Sequence, residues 1–157
     1  MECKNVTMDM QALMEKYRQM LPLAESLPLR VTGSSMAPFL VHRRDTVWLS
    51  SIRSELKPGD MVLYQRDSGR YILHRICKAK GDRYTLIGDA HTVMEPGVRR
   101  DQIFARVCQV ERKGKIIKPG SFWWEFFARV WIHLIPLRRP LLRMVSLGQK
   151  IKRRIKS

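Results

Sequence analysis

The chain opens with apolar residues at helical spacing. Between residues 8 and 21 they recur at i, i+3, i+4, i+7 and i+11, which places them on one face of a helix. The members of this stripe are Met10, Leu13, Met14, Tyr17 and Leu21. Proline interrupts the pattern at position 22 and again at position 28. The pattern therefore predicts a short N-terminal helix and linker over residues 1–28.

From residue 29 onward the pattern is typical of strands. Six short runs are rich in β-branched, aliphatic and aromatic residues, and turn signals with glycine, proline or aspartate separate them. These runs are 29–32, 46–50, 61–65, 71–78, 83–87 and 103–111. Such spacing predicts a mainly β domain over residues 29–118, a compact closed or half-closed sheet resembling a small barrel.

An aromatic segment begins after Pro119 and Gly120. Residues 121–135 are apolar except for one polar stripe that recurs every four residues, which predicts an amphipathic helix. The stripe consists of Glu125, Arg129 and His133. Residues 138–157 then add eight lysines or arginines and no acidic residue. We expect residues 119–157 to form an amphipathic aromatic helix and a basic tail.

The basic charge is concentrated in this tail. The 157 residues carry a formal charge of +16, of which residues 1–111 contribute +4 and residues 112–157 contribute +12. Cationic side chains beside tryptophans favour an anionic membrane surface as the partner of residues 121–157. The tail has no zinc finger, helix-turn-helix or RNA-recognition consensus, so no specific nucleic acid is expected. Packing of the aromatic helix on the β domain is the alternative.

Other classes of protein are disfavoured by missing signals. The chain shows no secretory signal and no run of about 18 uncharged apolar residues. Its three cysteines fit no zinc-binding or CxxC spacing, and no metal or cofactor is expected. We therefore expect a cytoplasmic protein, peripheral on the inner face of the membrane.

Candidate chemistry lies at the end of the first β run. Gly33 allows a sharp turn, and Ser34 and Ser35 follow it. A serine hydroxyl is a poor nucleophile and needs a base. His74 lies within the run 71–78, where a strand would hold it rigidly. An imidazole with an ordinary pKa of about 6.5 is available as a base at neutral pH.

Five motifs in order resemble the signal peptidase I family. They read GSSMAP at 33–38, LKPGDMVLY at 56–64, YILHRI at 71–76, IGDA at 87–90 and QIFARV at 102–107. The family has a serine before methionine, a Gly-Asp strand, a lysine or histidine base, a Gly-Asp box and a closing strand in this order. The histidine in the third motif is similar to the archaeal and endoplasmic-reticulum type.

This resemblance implies a serine endopeptidase that cleaves a leader, signal or precursor peptide with small residues before the cut. Ser35 would be the nucleophile and His74 the general base. Asp89 would orient the imidazole, with Glu95 as the alternative. The substrate would lie extended in a groove and pair as a strand. Its contacts would include Gly33, Met36 and Pro38.

The sequence departs from this family in three places. Ala90 stands where the Gly-Asp box usually ends in asparagine, and Gly33 cannot supply a side-chain oxyanion donor. The family's N-terminal membrane anchor has no counterpart in the sequence. Two other functions stay open, a catalytically inactive module that binds peptide or membrane and a self-cleaving repressor-type domain.

Overall fold

The computed structural model describes residues 9–155. Residues 1–8, which include Cys3 and the start of the predicted N-terminal segment, lie outside this range. Residues 156–157 at the end of the predicted tail lie outside it as well.

The predicted N-terminal helix is confirmed as α1, Met10–Met20. The Asp9 carboxylate caps it by accepting the backbone N–H of Gln11 at 3.3 Å. Met14 and Leu21 from the predicted stripe are buried against the sheet. Leu13 and Tyr17 pack partly against the same core, whereas Met10 is 48% exposed, so the stripe matches the packing of this helix except at its first residue.

Eight antiparallel strands form one sheet. The strands are β1 Leu27–Arg30, β2 Asp45–Ser50, β3 Met61–Gln65, β4 Tyr71–Lys80, β5 Arg83–Ile87, β6 Glu95–Arg99, β7 Ile103–Arg112 and β8 Lys115–Ile117. The first five and β7 confirm the six predicted runs. The sequence prediction missed β6, whose Pro96 and Gly97 resemble a turn, and β8, which is only three residues long.

The sheet is not closed, and the prediction of barrel-like closure is therefore not supported. Its strands follow the order β1-β2-β7-β3-β4-β5-β6, with β8 paired to β7. Among the described strands, β1 and β6 lie at opposite ends of this path and do not pair. These outermost strands have only four and five residues, so neither provides a long ladder for closure.

The long strand β7 joins two parts of the sheet. Residues 106–112 pair with β2, while residues 103–106 pair with β3. On one side, the main core gathers α1, β2, β7 and the aromatic residues after position 120. A second apolar cluster lies between β3, β4, β5 and β6.

The predicted helix over 121–135 is confirmed as a helical segment over residues 122–133, although it is not one regular α-helix. The segment instead forms α2, Phe122–Glu125, a π-helical turn, Phe126–Val130, and 3₁₀ turns, Trp131–His133 and Ile135–Leu137. We call residues 122–133 the aromatic turn. This turn packs closely on the segment before β3, since a Cβ at Gly59 would lie 2.7 Å from the Ala128 carbonyl oxygen.

The final helix α3 spans Arg138–Ile155. Within residues 9–155, no helix combines the length and the apolar character needed to cross a membrane. The buried members of the aromatic turn are Trp124, Phe127 and Trp131, whereas Phe122 and Trp123 are exposed. The aromatic segment thus packs on the sheet and also presents apolar side chains to solvent.

This division predicts different effects for two phenylalanines of the same turn. Phe127 is 5% exposed and packs on Phe39 with ring centroids 5.0 Å apart, whereas Phe122 is 72% exposed. We expect Phe127→Ala to lower the free energy of unfolding by about 3 kcal/mol, the usual cost of a large-to-small core change. Phe122→Ala should change it by less than about 0.5 kcal/mol. Urea unfolding of both variants measures the difference, and equal losses would contradict this packing.

Candidate active site

A cavity of about 410 Å³ lies between the turn after β1 and the first half of β4. Residues 31–36 form one wall and residues 71–74 the other. Arg66, Arg70 and His91 complete the lining. The cavity therefore brings together Ser35 and His74, which lie 39 positions apart in the sequence.

The Ser35 turn is held by backbone hydrogen bonds. Ala37 donates its N–H to the Ser34 carbonyl at 3.1 Å. The Ser35 carbonyl accepts the N–H of Ala90 at 2.9 Å, which ties the turn to residues 88–91. Gly33 has φ of 87°, and its N–H donates to Nδ1 of His42 at 2.8 Å. This left-handed conformation favours glycine, as the sequence suggested.

Gly88 marks the closest approach of the Ser35 turn, β4 and residues 88–91, which we call the 88–91 loop. A Cβ at Gly88 would lie 2.5 Å from the Ser35 carbonyl oxygen and 3.1 Å from Nε2 of His74. Nε2 therefore faces the Ser35 turn across this glycine. The hydrogen bonds of the described residues do not include one between the Ser35 hydroxyl and His74.

His74 is 4% exposed in the middle of β4. Burial lowers its pKa from 6.5 to about 4, because a charged imidazole is poorly solvated there. The nearby His91 ring, whose centroid is 5.4 Å away, lowers the pKa further, while the Glu95 carboxylate raises it. His74 is thus a neutral imidazole at pH 7.

A series of hydrogen-bonded side chains leads away from Nδ1, the second ring nitrogen of His74. The Tyr64 hydroxyl lies 3.3 Å from Nδ1 of His74 and donates to the Glu95 carboxylate at 2.5 Å. Arg66 holds Glu95 with two hydrogen bonds, at 2.9 and 2.8 Å. Because a carboxylate only accepts, the Tyr64 proton points to Glu95 and its oxygen is left to accept Nδ1–H of His74. Nε2 is then the unprotonated nitrogen.

The predicted orienting residue Asp89 lies in a different interaction. Its two carboxylate oxygens accept hydrogen bonds from Arg75 at 2.9 and 2.8 Å, and both side chains are fully buried. Arg75 also donates to the Gly59 carbonyl at 2.9 Å. Among the described hydrogen bonds, none joins Asp89 to His74. Asp89 therefore fixes the 88–91 loop, and the alternative Glu95 is the acid linked to the imidazole.

The predicted substrate-binding residues separate into two places. Gly33 and the buried Met36 line the cavity with Ser35. Pro38 instead lines an apolar groove beside Trp123 and Phe126. Pro38 is not among the described residues that line the cavity with His74.

Sequence reasoning missed Tyr64 although a signal was present. In the β3–β4 pairing, Val62 stands opposite His74 and Tyr64 opposite Ile72, so Tyr64 and His74 are diagonal neighbours on one face. A predicted hairpin between these strands would have paired them. Glu95 reaches the same place through β6, opposite Leu86, and the sequence did not reveal that strand.

The buried neutral state of His74 predicts acid sensitivity of folding. The unfolded chain takes up a proton near pH 6.5, whereas the folded chain does so only near pH 4. The contribution of neutral His74 to the free energy of unfolding is therefore fully present above pH 6.5 and is lost as the pH falls toward 4. Between pH 7 and 5 we expect a loss of about 2 kcal/mol.

Urea unfolding at pH 7 and pH 5 measures this loss. The variant His74→Gln should reduce the pH dependence, whatever its stability at pH 7. His133→Gln removes an exposed histidine instead and is the matched control, which should keep the wild-type dependence. An unchanged dependence in His74→Gln would contradict a buried neutral imidazole.

No group of three or more candidate metal ligands comes together within residues 9–155. No protein-family model matches the sequence, and a search of curated proteins finds no similar one. The resemblance to signal peptidase I therefore rests on the five sequence motifs alone.

Proposed function

We propose that this protein is a serine endopeptidase similar to signal peptidase I. The observation that carries the proposal is the shared cavity, in which Ser35 lies on one wall and the neutral imidazole of His74 on the other. A hydroxyl and an uncharged base in one substrate-sized cleft are the two groups that acyl transfer needs. The ordered motifs of the sequence support the same chemistry.

In the acylation step, Ser35 Oγ forms a bond to the peptide carbonyl carbon while its proton passes to Nε2 of His74. The tetrahedral intermediate then collapses, the C–N bond breaks, and the leaving amine takes the proton from Nε2. Water next attacks the acyl carbon and gives a proton to Nε2, which returns it to Oγ as the C–Oγ bond breaks. Since residue 33 is glycine, backbone N–H groups would stabilise the oxyanion.

Tyr64 and Glu95 are positioning residues in this mechanism. The Tyr64 oxygen holds Nδ1–H of His74, so Nε2 is kept free to accept the serine proton. When His74 becomes an imidazolium, the Glu95 charge behind Tyr64 stabilises it. The arrangement gives Glu95 the role that a directly bonded aspartate has in a Ser-His-Asp triad.

The first half of β4 offers an edge for an extended substrate. Residues 71–75 pair with β3 on one side, and β5 pairs only with residues 75–80 on the other. Among the described strands, the second edge of residues 71–74 is therefore unpaired beside Ser35. A peptide added there as a strand would use backbone hydrogen bonds for binding and side-chain pockets for selection.

An apolar pocket continues this groove. It has a volume of about 380 Å³, shares Val31 and Tyr71 with the cavity and reaches Met14 of α1. It would take an apolar substrate side chain or the apolar part of a leader peptide. We infer that the substrate is a leader or precursor peptide, met in the cytoplasm or at the inner membrane face.

Covalent labelling tests the nucleophile. A fluorophosphonate should add to the protein once, and intact mass with peptide mapping should place the adduct on Ser35. Ser34→Ala is the matched control and should keep most of the labelling rate, whereas Ser35→Ala should abolish it. His74→Ala should slow labelling by about 100-fold or more, the usual contribution of a general base. Failure of the parent protein to label would favour the inactive peptide-binding module.

The pH dependence of labelling tests the base and its support. Because burial lowers the pKa of His74 to about 4, the rate should stay flat from pH 8 to 6 and fall only as the pH approaches 4. This differs from the fall near pH 6.5 that an ordinary histidine would give. Tyr64→Phe should lower the maximal labelling rate by about tenfold or more and leave the half-saturating probe concentration unchanged. A change in that concentration alone would argue against a positioning role.

A further inference from the structure

Among residues 9–155, nothing covers the outer part of α3. Leu141 and Leu142 pack partly against the main core. From Arg143 to Lys152, every side chain that the structure describes is exposed. A solitary helix of this length is marginal in water, because most helix stability in proteins comes from packing of an apolar face. Packing against the described residues therefore does not account for the stability of the outer part of α3.

This helix places three exposed apolar residues in one stripe. At 100° per residue, Met144, Leu147 and Ile151 lie on one side, with Arg143 and Lys150 along one edge of the stripe and Lys152 along the other. These three apolar residues are largely exposed, Met144 to 68% and Leu147 and Ile151 both to 57%. No acidic residue occurs after Glu125. The helix thus combines an exposed apolar stripe with charged flanks that are entirely cationic.

The aromatic turn extends the apolar face. An apolar groove of about 430 Å³ runs between this turn and α3, where Trp123 lies across from Met144 and Val145. Phe122 stacks on Phe126 at 6.4 Å between ring centroids and is itself exposed. We call the resulting patch the tail surface, formed by Phe122, Trp123, Met144, Val145, Leu147 and Ile151.

We propose that the tail surface docks α3 on an anionic lipid bilayer, with the helix lying in the plane of the headgroups. Exposed apolar side chains would enter the acyl boundary, and tryptophan is a preferred residue at that depth. The basic residues flanking the tail surface match anionic headgroups, each contributing attraction near the bilayer surface. The sequence alone assigned the whole aromatic segment to the membrane, whereas only its exposed members belong to the tail surface.

Arg138 connects this surface to the proposed active site. It is fully buried at the start of α3 and donates to the carbonyls of Gly88 at 3.0 Å and His91 at 2.9 Å. It also donates to the Trp131 carbonyl at 2.9 Å. The N-terminal end of α3 is therefore fixed to the 88–91 loop beside His74. Docking would hold the cleft in one orientation relative to the bilayer.

Vesicle co-sedimentation of the full chain tests the docking. The parent protein should bind vesicles that contain phosphatidylglycerol and bind pure phosphatidylcholine at least about tenfold more weakly. Lys150→Gln with Lys152→Gln should weaken binding to the anionic vesicles by about tenfold or more. The matched control removes the same charge from exposed lysines of the sheet, as Lys80→Gln with Lys115→Gln, and should bind like the parent.

Tryptophan fluorescence locates the contact. Trp123 is 56% exposed, whereas Trp124 and Trp131 are buried, so anionic vesicles should shift the emission to shorter wavelength through Trp123. Trp123→Phe should remove most of that shift, and Met144→Ser with Ile151→Ser should weaken sedimentation.

Three results would overturn the proposal. The first is equal weakening by the two lysine pairs, which would show a general charge effect. The second is equal binding to both kinds of vesicle. The third is self-association or protein capture that uses the tail surface while vesicles are ignored. Because docking is independent of the peptidase chemistry, Ser35→Ala should bind vesicles like the parent even if the proposed activity is wrong.

Discussion

The buried ion pair between Arg75 and Asp89 holds together the parts of this protein that its proposed chemistry needs. Both side chains are fully buried, so removing either one would leave an uncompensated charge in a medium of low dielectric. The pair fixes the 88–91 loop to β4, directly beside His74. Through that loop it also supports the turn of Ser35, since Ala90 donates to the Ser35 carbonyl. The same loop accepts hydrogen bonds from the aromatic turn and α3, at the carbonyls of Asp89 and Gly88.

Desolvation around this frame sets the protonation states. The burial that strengthens the Arg75–Asp89 pair also excludes water from His74 and lowers its pKa to about 4. The same burial, with the Glu95 carboxylate, raises the pKa of Tyr64, so that tyrosine stays protonated and continues to donate to Glu95. The result is an uncharged imidazole at His74, with Nδ1 held by the Tyr64 oxygen and Nε2 left unprotonated. A buried histidine bonded directly to an aspartate would be held closer to its ordinary pKa, and the intervening Tyr64 weakens that effect.

The C-terminal segment has two roles that its composition does not separate. Trp124, Phe127 and Trp131 fill the core above the sheet, while Phe122 and Trp123 remain exposed next to α3. Phe122 and Trp123 lie on a different face of α2 from the buried Trp124, so this division is made before the π-helical turn begins. One aromatic run can therefore support the 88–91 loop and also present an apolar surface. The basic charge of the chain is concentrated at that surface.

The sequence by itself determined the mainly β class, the N-terminal helix and the residues of the Ser35 turn, because these depend on local periodicity and turn chemistry. Its five ordered motifs also placed Ser35 and His74 as candidates. Only the tertiary structure decided that the sheet stays open, since strand pairing is a long-range property. It likewise decided that Asp89 pairs with Arg75 and that Glu95 is connected to His74 through Tyr64. The partner of a carboxylate depends on which groups lie near it and on its burial, and these follow from the folded chain. Whether the aromatic helix packs on the sheet was equally undetermined, because an apolar helix face does not reveal what covers it.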